Sequence, residues 1–360
     1  MLLRFAALLI CPFVLMGLAI GLVVGLPGCR GKEAAAGPSD KPVLAASVFP
    51  VADLARQVAA DRWEVVTLLP PGQSPHSYSI RPAAAAALRS AKVLLAVGPG
   101  LDDWAIQAAR ATAGQRELVV LTEVLGLPPG EHTPALRANA PAEDAGVAPM
   151  GAAGASAGGI RPPARETVDE HAHDLAAQAA DHAGHEHHPQ DQDPHLWLDP
   201  VLTQRIVEQI AAVLSRHDPA GRAVYEQNAS RLEQDLARLH EDYRTTLAKV
   251  RIRTLVVFHP AYSYLAQRYD LEQVALLGAA GVTPARLEEV VRRIRRDSIG
   301  AVYREPQYES KWIDILGRRS GAKVLVLDPL GRAGVPGYDS YLAMMRSNLA
   351  ALTEGLDHGP

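Results

Sequence analysis

Short apolar runs alternate along the chain with stretches in which apolar residues recur every three or four positions. Pro42 to Phe49 and Trp63 to Leu69 are β-rich runs, and between them Val51, Leu54, Ala55 and Val58 trace one face of a helix. The rhythm continues with a helix opened by Pro82, a strand over Lys92 to Val97, a helix after Asp102 and a strand over Leu118 to Leu121. Such alternation predicts a mostly parallel sheet covered by helices. From about Gly130 to Gln192 the pattern stops and Ala, Gly, Pro and His take over, which predicts a disordered or functional insertion.

Order returns at Asp193. After Asp218-Pro219, the residues Tyr225, Leu232, Leu236, Leu239, Tyr243 and Leu247 keep helical spacing and predict a spine between domains. A second β-α series follows, with strands at Thr254 to Phe258, Gln273 to Leu277, Ile299 to Tyr303 and Lys323 to Leu327. One of its helices is well marked: Thr283 caps it, Pro284 suits its first turn, and Leu287, Val290, Val291 and Ile294 form its apolar face. The expected fold class is α/β, with two similar lobes, mostly parallel sheets and a long joining helix.

Composition narrows the function. Among 360 residues, 36 Lys+Arg against 40 Asp+Glu leave no basic field for nucleic acid. The two cysteines, Cys11 and Cys29, exclude a zinc ribbon, so metal chemistry has to use His and carboxylates. Arg4 followed by the apolar run Phe5 to Leu26 reads as a secretory leader. Leu26-Pro27-Gly28-Cys29 resembles the lipobox at which bacterial lipoproteins are cleaved and lipidated on cysteine, although Pro27 departs from that pattern. The competing reading is an uncleaved anchor, since about 20 apolar residues suffice to cross a bilayer. The expected organisation is a leader over 1–28, a tether over 29–41, a first lobe over 42–218 with the insertion at about 130–192, a linking helix over 219–250 and a second lobe over 251–360.

The residues with chemistry follow the strands. His76 lies after Leu69, His259 after Phe258 and Asp328 after Leu327, while His195 sits in Asp-Pro-His-Leu-Trp-Leu-Asp-Pro. In parallel α/β sheets the loops at the carboxyl ends of strands line the ligand crevice. Neutral imidazoles with one carboxylate suit a zinc-type site of net positive charge. Each histidine taken alone also fits a polar loop residue bonded to backbone.

Together these segments resemble a known family. Leu-Leu-Pro-Pro-Gly-Gln-Ser-Pro-His76-Ser-Tyr, Asp193-Pro-His195-Leu-Trp-Leu-Asp-Pro, Val-Phe-His259-Pro-Ala-Tyr-Ser-Tyr, Glu305-Pro-Gln-Tyr and Leu327-Asp328-Pro-Leu-Gly look like the zinc branch of the metal-binding solute-binding proteins of ABC transporters. The resemblance runs from about Pro42 to Leu352 outside the insertion. It implies two α/β lobes joined by one rigid helix, with metal between them on His76, His195, His259 and Asp328. It also implies an extracytoplasmic, lipid-anchored monomer that captures Zn²⁺, hands it to a membrane permease and catalyses nothing.

The insertion carries His171, His173, His182, His185, His187 and His188, six of the 13 histidines, which fits a low-affinity zinc collector or equally a solvated tract. Glu305 suits either a ligand-supporting role or a helix-starting turn, and Trp197 and Tyr78 suit either shielding of the metal or packing. Rival functions are a secreted zinc-dependent hydrolase, a manganese-binding paralogue and a surface adhesin. The hydrolase would need an open coordination position and a general base.

Overall fold

The computed structural model describes residues 41–112, 114–127, 193–278, 281–308 and 311–357. The leader, Cys29 and the whole histidine-rich insertion lie outside them.

The first lobe is built from β1 (Val43–Ala46), α1 (Phe49–Ala59), β2 (Glu64–Thr67), α2 (Pro82–Ser90), β3 (Ala91–Ala96), α3 (Asp103–Ala111), β4 (Glu117–Val120) and the single turn α4 (Leu121–Val124). The four strands are parallel, in the order β2-β1-β3-β4. Their residues alternate between faces: Leu44, Ala46, Val93 and Leu95 join the central core, whereas Ala45, Leu94 and Ala96 join a separate core under α2 and α3. Helices on both faces explain why these strands read as continuous apolar runs.

After the Asp193 segment come α5 (Pro200–His217) and α6 (Arg222–Leu247). The 26-residue α6 is the expected spine, and its buried stripe is Tyr225, Ala229, Leu232, Leu236, Leu239, Tyr243 and Leu247. The helix α5 packs along it.

The second lobe contains β5 (Thr254–Val257), α7 (Ser263–Arg268), β6 (Glu272–Ala275), α8 (Pro284–Arg296), β7 (Ala301–Arg304), α9 (Lys311–Ser320), β8 (Lys323–Val326) and α10 (Tyr341–Asp357). Its strands are again parallel, and their order β6-β5-β7-β8 repeats the topology of the first sheet. The α8 N-terminus forms as expected, with the Thr283 hydroxyl accepting from Arg286 N at 3.1 Å. Among the described residues, no helix is long and apolar enough to cross a membrane.

Buried bonds cross from the first lobe to the second. Trp197 Nε1 donates to Pro329 O at 2.6 Å, and Tyr341 OH donates to Trp197 O at 2.8 Å. Asp53 of α1 accepts from Tyr341 N at 2.8 Å. Asp199 caps α5 through Val201 N and also accepts from Arg268 Nε at 2.9 Å. Movement of one lobe against the other has to carry or break these bonds.

Candidate metal centre

Each of the three histidines is placed by a loop at the edge of a regular element. The turn after β2, Pro70 to Pro75, carries His76 across to the second lobe, where Ser74 Oγ bonds to Tyr308 OH at 3.2 Å. His195 precedes a short 3₁₀ turn over Leu196–Leu198 that leads into α5. His259 follows β5 by two residues. The result is convergence: one ring nitrogen from each of His76, His195 and His259 lies within 4.8 Å of the others, a group suited to holding a metal ion.

The outward nitrogen of each ring faces an acceptor. His76 Nδ1 is 2.7 Å from Gly100 O, and His195 Nδ1 is 2.8 Å from Asp193 Oδ1. His259 Nδ1 is 3.4 Å from Glu305 Oε2. An acceptor at Nδ1 favours a proton there and leaves Nε2 with its lone pair, the arrangement a metal ligand requires. Accordingly, His76 Nε2 and His195 Nε2 approach to 3.2 Å, whereas both ring nitrogens of His259 are buried without a hydrogen bond. Burial lowers the His195 pKa below the ordinary histidine value, against the opposing pull of Asp193, so the ring is neutral at pH 7.

Asp328 is buried but stands outside the three-histidine group. Its Oδ1 accepts from Leu330 N at 3.0 Å and Gly331 N at 2.9 Å, which shapes its own loop. Its Oδ2 accepts no hydrogen bond and lies 3.5 Å from Arg332 Nη2. Glu305, at 1% exposure, keeps Oε1 without a hydrogen-bond partner, while Gln307 Nε2 donates to its Oε2 at 2.6 Å. Burial and the charges of Glu305 and Asp328 push the Tyr262 phenol well above its usual range, which places all three in one electrostatic neighbourhood. Asp193 and Glu305 thus stand behind two of the imidazoles.

The remaining aromatic and histidine residues divide clearly. Trp197 is fully buried, with its ring 5.4 Å from that of His195, and it packs across the lobe seam. Tyr78 packs edge-on against Trp104 at 4.7 Å. His217 pairs with Glu117 at 2.7 Å and His240 with Tyr269 OH at 3.1 Å. The six insertion histidines, His132 and His358 fall outside the described residues.

Two parallel α/β lobes, a long bridging helix and three imidazoles meeting at the seam define a metal-type solute-binding protein of an ABC transporter. The profile of the family described as "ZnuA: Zinc-uptake complex component A periplasmic" matches residues 44–355, and the chain belongs to that family. It is 30% identical over 338 residues to the high-affinity zinc uptake system protein ZnuA of Paracoccus denitrificans, a match covering 92% of this chain and 97% of that relative. It is 26% identical over 349 residues to the zinc-binding lipoprotein AdcA of Streptococcus pneumoniae, with 93% of this chain and 59% of AdcA covered. A solved ZnuA structure with residues 138-173 deleted and zinc bound shares the fold at a TM-score of 0.67 and 21% identity, over 89% of this chain and all of that one.

Proposed function

We propose that this chain captures Zn²⁺ outside the cytoplasm and delivers it to the permease of an ABC transporter. The observation that carries this reading is the triad of converging imidazoles, two of them with a carboxylate facing Nδ1. Zinc accepts a compact tetrahedral shell rich in nitrogen, and three neutral imidazoles supply most of it. Asp328 supplies the oxygen ligand through Oδ2, which no hydrogen bond occupies. The ion is cargo, so no reaction is catalysed. Lipid on Cys29 tethers the monomer to the membrane after the leader is removed, and the insertion histidines His171 to His188 collect zinc weakly near the tight site. Names of relatives support the cargo and the compartment: a high-affinity zinc uptake protein and a zinc-binding lipoprotein.

Growth tests the proposal. A strain lacking this protein is expected to grow normally in zinc-replete medium and poorly under chelation, with rescue by the natural chain but not by His195→Ala. Equal growth of the deleted and parental strains under chelation would refute it.

A further inference from the structure

A cavity of about 520 Å³ opens between the loop after β2 and the loop after β8. The first loop continues to His76 and the second includes Asp328, while none of the three histidines lines the cavity. Its walls are largely apolar, from Phe49, Leu69 and Leu330, and its charged lining consists of Arg56, Arg81 and Arg332 with no Asp or Glu. In a chain with more acidic than basic residues, this is a local reversal of charge.

The three guanidiniums are set differently. Arg56 is anchored, with Nη2 donating to Thr67 Oγ1 at 2.8 Å and its carbon 5.9 Å over the Phe49 ring. The acid nearest to it in sequence, Asp53, is turned to Tyr341 N and Gln57 Nε2. Arg332 reaches Asp328 Oδ2 only at 3.5 Å, and Arg81 is exposed at the start of α2. Gly331 takes φ +63, and a Cβ there would meet Tyr338 O at 2.9 Å, so this turn of the lining loop requires glycine.

Guanidinium forks match carboxylates in geometry and charge, and apolar walls accept a short carbon skeleton. We propose that this cavity binds a small organic polycarboxylate, with carboxylates on Arg56, Arg81 and Arg332 and its carbon body on Phe49 and Leu330. Building on the zinc-capture reading, such an anion presents chelated zinc to the imidazoles from the adjoining loop, and ligand exchange moves the ion without any redox step.

Calorimetric titration of the metal-free full chain with tricarballylate, a tricarboxylate that chelates zinc weakly, tests this directly. The expected result is one sub-millimolar site per chain at low ionic strength, weakened by salt and by about tenfold or more in Arg81→Ala, the loss of one charge-assisted contact. Zinc affinity in Arg81→Ala is expected to stay unchanged, because Arg81 touches none of the ligands. Absence of binding at millimolar tricarballylate would overturn the proposal. So would full retention in Arg81→Ala combined with Arg56→Gln, or equal affinity for inorganic phosphate. If tricarballylate binds as expected but zinc does not, the cavity assignment stands and the zinc reading alone fails.

Discussion

Asp193 holds His195 twice: its Oδ1 accepts from the backbone N at 2.9 Å and from the ring Nδ1 at 2.8 Å. The proline between them sets the short span, and the double contact aims Nε2 at its counterpart on His76. Asp193→Ala is therefore expected to weaken zinc binding by about 10- to 100-fold, the usual loss when a ligand's orienting partner is removed. Asp193→Asn, which keeps an acceptor, is expected to lose less. Chelator competition on both variants checks the order, and equal affinity in all three proteins would show that Asp193 does not position the ring.

Protons compete with the ion on these nitrogens. Burial depresses the folded His195 pKa below 6.5, so below that value the unfolded chain takes up a proton that the folded chain resists. Stability of the metal-free protein should fall as pH drops through this window and recover as pH rises above it. Zinc affinity should fall as pH drops, because protons and the ion compete for the same ring nitrogens. Denaturant melts and zinc titrations across pH 5 to 8 read both curves; stability that rises on acidification through this window would contradict the assignment.

Trp197 links the segment of His195 to the loop of Asp328. Trp197→Phe keeps most of the ring but leaves Pro329 O without its donor, at an expected cost of about 1–3 kcal/mol in unfolding free energy. Urea denaturation measures it, and a change below about 0.5 kcal/mol, the ordinary range for an inconsequential surface substitution, would show that the bond contributes nothing across the seam.

Much of this arrangement was legible in the sequence, for physical reasons. Strands buried on both faces must be apolar throughout, so β1, β3 and β5 announce themselves, and a 26-residue stripe such as that of α6 has no strand-like interpretation. His76 and His259 were readable because loops after parallel strands converge. The Nδ1 partners were harder. Glu305 is 46 residues from His259, and only the parallel pairing of β5 with β7 brings them together. Asp193 had a visible signal, the Asp-Pro-His spacing, whose meaning depends on the turn that follows. The helices α5 and α10 went without explicit prediction, and α10 proved central, since Tyr341 at its start bonds to Asp53 and to Trp197 O. The Asp328 loop contacts could not be read from Leu-Asp-Pro-Leu-Gly alone.

The insertion and the tight site are expected to be separable. Deleting Glu131 to Gln192 should leave one tightly held zinc per chain and remove only weaker ions, because His76, His195 and His259 all lie outside the deletion. Metal content after dialysis against a weak chelator checks this. Loss of the tight ion from a folded deletion protein would put a primary ligand in the insertion.

The account rests on three imidazoles sharing one ion. Competition titration of the metal-free chain against a strong zinc chelator, run alongside His76→Ala, His195→Ala, His259→Ala and Asp328→Ala, tests it most directly. The predicted result is one tight Zn²⁺ per natural chain, a loss of affinity by orders of magnitude in each histidine variant and a smaller loss in Asp328→Ala. Unchanged affinity in a folded histidine variant, or no tight zinc in the natural chain, would contradict the account.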